Sequence, residues 1–377
     1  MAQSSRLIYY FLILIGVSCS KPEVQVLKID ISESSVKQLD SLKALSLDKP
    51  AILEATKKYV KCKVGPNQLK SKIRFKGDDI HHIENKGEES YRVKVLDGNY
   101  NEMTKFSLHL PERRNNVYEY LWQSILKHEG LMFTSYDFVE LHLNNENRGI
   151  YAIEEGHDSS YSNRFNRPEG VILKFNEKGY WNDLIKDERK SLDDYLTNTS
   201  IEKSNDLFND KKLDALFKSF LSDSLSVDSL FDAELTGKYL ALTDVFNCSH
   251  SLVWINMRFF YNAQTQRCEF VGYDAETYGP IKELMIDKSG VLDGKSKDYM
   301  LYLFFKSKSI QKAYFKWLKV YSSPEKMSEW LREIDPLVEE KRKIVEIRIP
   351  GLYYDWEKFK TNQEFIQKWL ADSSYLP

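Results

Sequence analysis

The sequence predicts an α+β chain of two lobes, a β-rich first half and a mainly helical second half with one β-hairpin inside it. Three observations predict this. Between Ser71 and Glu177, short runs of alternating apolar residues (SYRVKV, FVELHL, GIYAI, GVILKF) surround one amphipathic stretch. From Tyr299 onward the pattern is helical almost throughout. At 377 residues the chain is long enough for two domains or lobes.

Composition excludes some functions. The net charge is −2 and basic residues are spread rather than blocked, so no global field draws nucleic acid. Aromatic residues make up 13%, which fits strands, sticky grooves or an aromatic-rich core. The four cysteines, Cys19, Cys62, Cys248 and Cys268, form no CxxC or Cys/His metal pattern. Cys248 and Cys268 either pair across a hairpin or stay as two buried thiols.

Arg6 precedes an apolar run from Leu7 to Val17, too short to span a bilayer but suited to the core of a signal peptide. Gly16, Val17 and Ser18 lead to Cys19, which resembles a bacterial lipobox despite Gly16 in place of a larger aliphatic residue. The reading is a signal peptide over 1–18, lipidation at Cys19, and a tether over 19–24. Lipid there would fix the chain to a membrane outside the cytoplasm. Lys21 supplies no acidic retention signal, which points to the outer membrane or cell surface.

VQVLKIDIS (24–32) alternates as a strand, and Val36, Leu39 and Leu42 follow at helical spacing behind a Ser/Glu start. AILEATKKYVKCKVG and QLKSKIRFKGDD read as strands around Gly65-Pro66. Asp78 to Glu89 reads as a mobile polar loop. His81 and His82 in it point apart, which favours solvated side chains over a metal site. In SYRVKV, Arg92 and Lys94 share a face and could hold phosphate oxygens.

RRNNVYEYLWQSILKHEGL (113–131) reads as a helix capped by Asn115 or Asn116 and ended by Gly130, with Arg114 at its start able to reach phosphate. A hairpin turning at Asn144–Asn147 follows and closes on Glu154 and Glu155. EGVILKF is one more strand. Residues 180–220 read as helices joined by loops, and 231–247 as a helix with Asp244 near its end. A second hairpin turns at Asn262 and exits through Gly272-Tyr273-Asp274-Ala275-Glu276.

The order strand, loop, strand, helix, strand, strand, acidic connector is the layout of a protein-kinase N-lobe. On it the boundaries fall at 25–158 for the first lobe and 159–377 for the second. The segments KGDDIHH, SYRVKV, RRNN, YDFVELHLNNENRGIYAIEE, NMRFFYN and GYDAETYG resemble the spore coat protein H (CotH) family of secreted atypical kinases, over roughly residues 25–280. The resemblance implies a kinase-like bilobal fold, ATP with Mg²⁺ or Mn²⁺, and transfer of phosphate to Ser of secreted or surface proteins. It makes Asp274 the metal-binding acid, with Glu276 in the place of the second acid and Asn256 beside them. Arg92, Lys94, Arg114, Glu154 and Glu155 are then the nucleotide-side candidates. The catalytic Asp of the family lies only a few residues before that Asn. Here Asp244 lies twelve residues before Asn256, and His250 and Ser251 hold the closer positions. Asp244 is therefore the expected base, with His250 the next candidate. The alternative is a binding protein that keeps the fold without transfer: a pseudokinase, or a surface lipoprotein.

Overall fold

Period-2 alternation builds the first half. The computed structural model describes residues 22–158, 161, 165, 170–203 and 211–372, so the expected signal peptide and Cys19 lie outside the described residues. Strands β1 (Val26–Ile31), β2 (Val60–Val64), β3 (Leu69–Phe75), β4 (Tyr91–Val95), β5 (Lys105–His109), β6 (Tyr136–Leu143) and β7 (Glu146–Glu155) form a closed barrel in the order β1-β2-β3-β4-β5-β7-β6. Parallel pairing of β1 with β6 closes it, which leaves no free edge. Inward side chains, among them Leu27, Ile29, Ile73, Val93, Phe106, Leu141 and Tyr151, fill the interior. The expected β-rich half is thus a barrel rather than an open sheet. β5, which the sequence reading passed over, alternates Lys105, Ser107 and His109 with Phe106 and Leu108, and is buried on both faces from Phe106 onward.

Local chemistry sets the joins. Ser32 caps α1 (Glu33–Ala44) by accepting from Ser35 N. Asn144 and Asn145 take φ of 50° and 65° between β6 and β7, the conformation a two-residue hairpin turn requires. The helix expected from Arg113 begins later, as α2 (Tyr118–His128). Asn115 and Asn116 both have positive φ, so neither is its cap. The Asn115 side-chain amide instead donates to Thr277 O at 2.6 Å. Gly130, at φ +70°, follows the helix as expected.

In the second half, β8 (Gly170–Phe175), β9 (Ile201–Lys203), β10 (Arg258–Asn262) and β11 (Arg267–Phe270) form a sheet in the order β11-β10-β8-β9. Around it lie α3 (Lys178–Lys186), α4 (Leu192–Asn198), α5 (Lys211–Leu221), α6 (Ala233–Phe246), α7 (Met285–Ser289), α8 (Tyr299–Phe305), α9 (Lys308–Tyr321), α10 (Pro324–Glu333), α11 (Asp335–Glu346) and α12 (Glu357–Asp372). One apolar cluster takes in these helices, α2, and the outer face of β6 and β7 through Tyr136, Phe138, Ile150 and Ala152. The barrel is therefore joined to the helical half by a shared core. Cys248 and Cys268 are both buried, free thiols.

Candidate functional site

The seam between barrel and helical half concentrates buried charge. Neighbouring residues of a strand face opposite ways, so Glu154 and Glu155 at the end of β7 part company. Glu154 stands opposite Ser107 and Tyr136, whereas Glu155 stands opposite the inward Phe106. Glu154 accepts from Lys76 Nζ at 3.0 Å, and its other oxygen lies 3.5 Å from both His109 Nε2 and Arg114 Nε. Lys76 is 3% exposed, Glu154 3% and His109 0%. Burial alone would push Glu154 up, but Lys76, Arg114 and His109 together hold its carboxyl well below the usual range. Burial, and then Lys76, bring His109 down to about 4, so this imidazole is neutral.

Lys76 itself is placed by the turn that follows β3. Gly77 has φ +99°, and a Cβ there would lie 2.1 Å from the His82 ring. His82 folds back on this glycine and pairs with Ser90 Oγ at 2.9 Å. The 78–89 loop is thus tied down over Lys76, and His81 and His82 join no metal-type cluster among the described residues.

The second component is the turn after β11. Gly272 lets it approach α2: a Cβ there would meet Leu126 Cδ1 at 2.1 Å and Gln123 Oε1 at 2.8 Å. Glu119 on α2 accepts from Ala275 N at 2.8 Å and from Gln123 at 2.7 Å. Asp274 and Glu276, flanking Ala275, have φ of 52° and 41°, a left-handed conformation that costs about 1–2 kcal/mol for an L-residue. The outcome is that Asp274 ion-pairs with Arg114, while His250 Nε2 lies 3.8 Å from Asp274 and His250 Nδ1 3.9 Å from Glu276. Two guanidinium groups lie against the Tyr273 ring, Arg114 at 4.9 Å and Arg258 at 4.4 Å from its centre, and its hydroxyl accepts from Arg114 at 3.1 Å.

One imidazole nitrogen and two carboxylates, from His250, Asp274 and Glu276, offer ligand atoms within 4.8 Å of one another. That donor set fits a divalent cation. The oxygens suit Mg²⁺, and the added nitrogen favours a metal such as Mn²⁺. Burial lowers the His250 pKa, with Glu276 opposing and Arg114 reinforcing the shift. Around Glu154, the buried Tyr136 hydroxyl has no hydrogen-bond partner among the described residues, leaving unused capacity for a polar ligand in the seam.

Of the residues singled out in the sequence, Arg114, Glu154, Asp274, Glu276 and His250 come together. Asn256 does not join the acids. Its amide donates to His250 O at 3.1 Å and so fixes the turn that carries His250. Arg92 is half-buried on the outer barrel face and Lys94 is exposed there, in line with each other but displaced from Asp274. Glu155 faces away from Glu154.

Asp244, the expected base, is placed in the core of the helical half. Its side chain is wholly buried on α6, one oxygen taking Met285 N at 3.0 Å and the other bonded to the Tyr314 hydroxyl. Burial pushes it up to about 7 despite the Tyr314 and Met285 hydrogen bonds. It is a core group, bonded to α7 and α9. The sequence reading also missed Lys76, His109, Glu119, Tyr273 and Arg258. For Lys76 a signal existed, since strand parity puts it on the face of Arg74.

Compared with known proteins, residues 73–317, well over half of the chain, match the family described as CotH kinase protein. No curated protein matches the chain.

Proposed function

The chain belongs to the CotH kinase family, and from that premise we propose that the seam between barrel and helical half binds ATP with a divalent cation and transfers the γ-phosphoryl group to Ser of a secreted or surface protein. Family membership speaks for nucleotide and metal use in general terms. The observation that carries the finer reading is the contact of Arg114 with Asp274. It links the Lys76–Glu154 pair of the barrel to the acidic turn of the helical half, so the cationic and the acidic groups phosphoryl transfer needs share one place.

Each residue has a role on this reading. Lys76, held by Glu154, and Arg114 meet phosphate oxygens, as buried cations whose charges are already oriented. Arg92, on the same barrel face as Lys76, adds positive charge. Asp274 and Glu276 hold the cation, which when bound neutralises charge on the phosphates. With the cation on Asp274 and Glu276 alone, His250, 30% exposed at its side chain, is left to accept the proton of the Ser hydroxyl. The Ser oxygen bonds to the γ-phosphorus as the bond to ADP breaks. Lipid on Cys19 would place the reaction at a membrane surface outside the cytoplasm.

A second reading is binding without transfer, as in a pseudokinase. It is favoured by the burial of Asp244, the acid expected to serve as base. Thermal melts and label transfer from γ-labelled ATP, to the protein itself or to a Ser-rich acceptor, separate the two. ATP with Mg²⁺ or Mn²⁺ should raise the melting temperature, since ligand at a hundredfold excess over Kd adds about 2.7 kcal/mol. Asp274→Asn should abolish both the shift and transfer. A shift without transfer in the wild type selects the binding-only reading. No shift at millimolar ATP with either metal refutes the nucleotide site.

A further inference from the structure

The outer face of β2–β5 carries a charge arrangement that folding alone does not explain. Lys61, Lys72, Lys94 and Lys105 stand directly opposite one another across four consecutive strands. Lys63 faces Lys70, and Arg74 faces Arg92. Like charges directly opposite on a sheet are destabilising, and the whole chain has a net charge of −2, so the concentration is local. Among the described residues none of these eight cations forms a salt bridge. Asp30, opposite Lys63 at the margin, is bonded to Gln68 Nε2 at 2.7 Å.

We propose that this face docks an acidic segment of a polypeptide, laid in extended form along the lysine row with its inner end entering the seam beside Arg92. Strands lie about 4.8 Å apart, so four lysines span roughly 14 Å, the length of four or five extended residues at about 3.3 Å each. Lys61, Lys72 and Lys94 are exposed, whereas Lys105 is half-buried and presses on Gly156, where a Cβ would meet Lys105 Cγ at 2.5 Å. A chain can follow that descent into the seam, while a planar bilayer surface can reach only the outer end. Crowding shows at the inner end: burial, and then Arg92, bring the Lys105 ammonium down to about 7, and an incoming carboxylate would relieve it. Naming the segment a phosphoacceptor's rests on the proposed transfer activity. The docking itself does not.

The test uses the full chain and a fluorescent peptide of one Ser flanked by Glu and Asp, titrated without nucleotide. Binding should weaken with salt, and a same-length neutral peptide should bind far less. Lys61→Glu with Lys72→Glu should weaken peptide binding about tenfold or more, because two charges along the row are reversed against an acidic peptide. Its melting temperature should be no lower than the wild type's, since Lys94 then faces a carboxylate, and its ATP-dependent thermal shift should match, which shows that the variant is folded with its nucleotide site intact. Unchanged affinity in this variant overturns the proposal. So does absence of peptide binding to the wild type, including the case where anionic-lipid vesicles bind in its place and mark a membrane face. Peptide docking with no phosphate transfer leaves the inference standing and removes only the kinase reading.

Discussion

Replacing Glu154 by Leu removes a carboxylate that is 3% exposed and strands Lys76, also 3% exposed and bonded to it at 3.0 Å. Arg114 is not stranded, since it keeps Asp274 and Tyr273. The cost is therefore that of one unpaired buried ammonium, about 3–5 kcal/mol. Lys76→Met should cost less, about 1–3 kcal/mol, because Glu154 keeps Arg114 at 3.5 Å. The double variant should recover to within about 1–2 kcal/mol of wild type, because an apolar pair of similar volume needs no desolvation. Urea unfolding followed by far-UV circular dichroism reads this as shifts in midpoint at constant slope. The pH dependence has a definite sign. Glu154 is held below its ordinary 4.5 in the fold, so its contribution is fully present above pH 4.5 and drains away as pH falls below that value. The gap between wild type and Glu154→Leu should narrow in acid. Singles costing under about 1 kcal/mol, or a double as damaged as the sum of the singles, would refute the claim that the pair is desolvated.

Three further outcomes follow from the geometry. Asp244→Ala leaves Met285 N and the Tyr314 hydroxyl without their partner and should cost about 2–4 kcal/mol of stability, with transfer per folded molecule unchanged. A loss of transfer at an unaltered melting temperature would return Asp244 to the chemistry. Gly272→Ala should cost about 1–3 kcal/mol through overpacking against Leu126 and Gln123 and weaken metal-dependent nucleotide binding by shifting the Asp274 turn. An unchanged thermal shift with ATP would contradict that coupling. Cys19→Ser should move the full-length protein from the membrane fraction to the soluble one, and unaltered fractionation would dismiss the lipid anchor.

What was legible in the sequence was what local pattern encodes. The β6–β7 hairpin and the GYDAE exit show in periodicity and turn residues, and Glu154 came with the hairpin, whereas the roles of Asp274 and Glu276 came from the family resemblance. Barrel closure was hidden, because Val26 pairs with Glu140 across more than a hundred residues that no window spans. β5 was missed although Lys105, Ser107 and His109 alternate with Phe106 and Leu108, because five residues give only two such periods. Asp244 was misplaced by counting residues back from Asn256 instead of asking what its helix faces. Every residue from Tyr239 to Phe246 is buried, and a helix apolar all round lies in a core. That pattern stood in the sequence and argued for a packed acid.

The same logic explains how the acidic turn is held. Two residues in left-handed conformation, Asp274 and Glu276, persist only where surroundings over-determine them, and the partners come from several directions. Glu119 grips Ala275 N, Asn115 and Lys358 grip Thr277, and Asn247 grips Gly279 O at 2.6 Å. Glu119 stands near the start of α2. Glu129, just past its end, is held by Lys326 at 2.8 Å, the Tyr321 hydroxyl at 2.9 Å and Trp330 Nε1 at 3.0 Å. Ten residues of helix, about 15 Å, thus connect the C-terminal helices to the acidic turn as a strut fixed at both ends. The strain at Asp274 and Glu276 is offset by anchors in α2 and in the helical half. The carboxylates therefore stand oriented toward His250 before any ligand arrives, which is the condition under which fixed charges act most strongly on a transferring phosphoryl group.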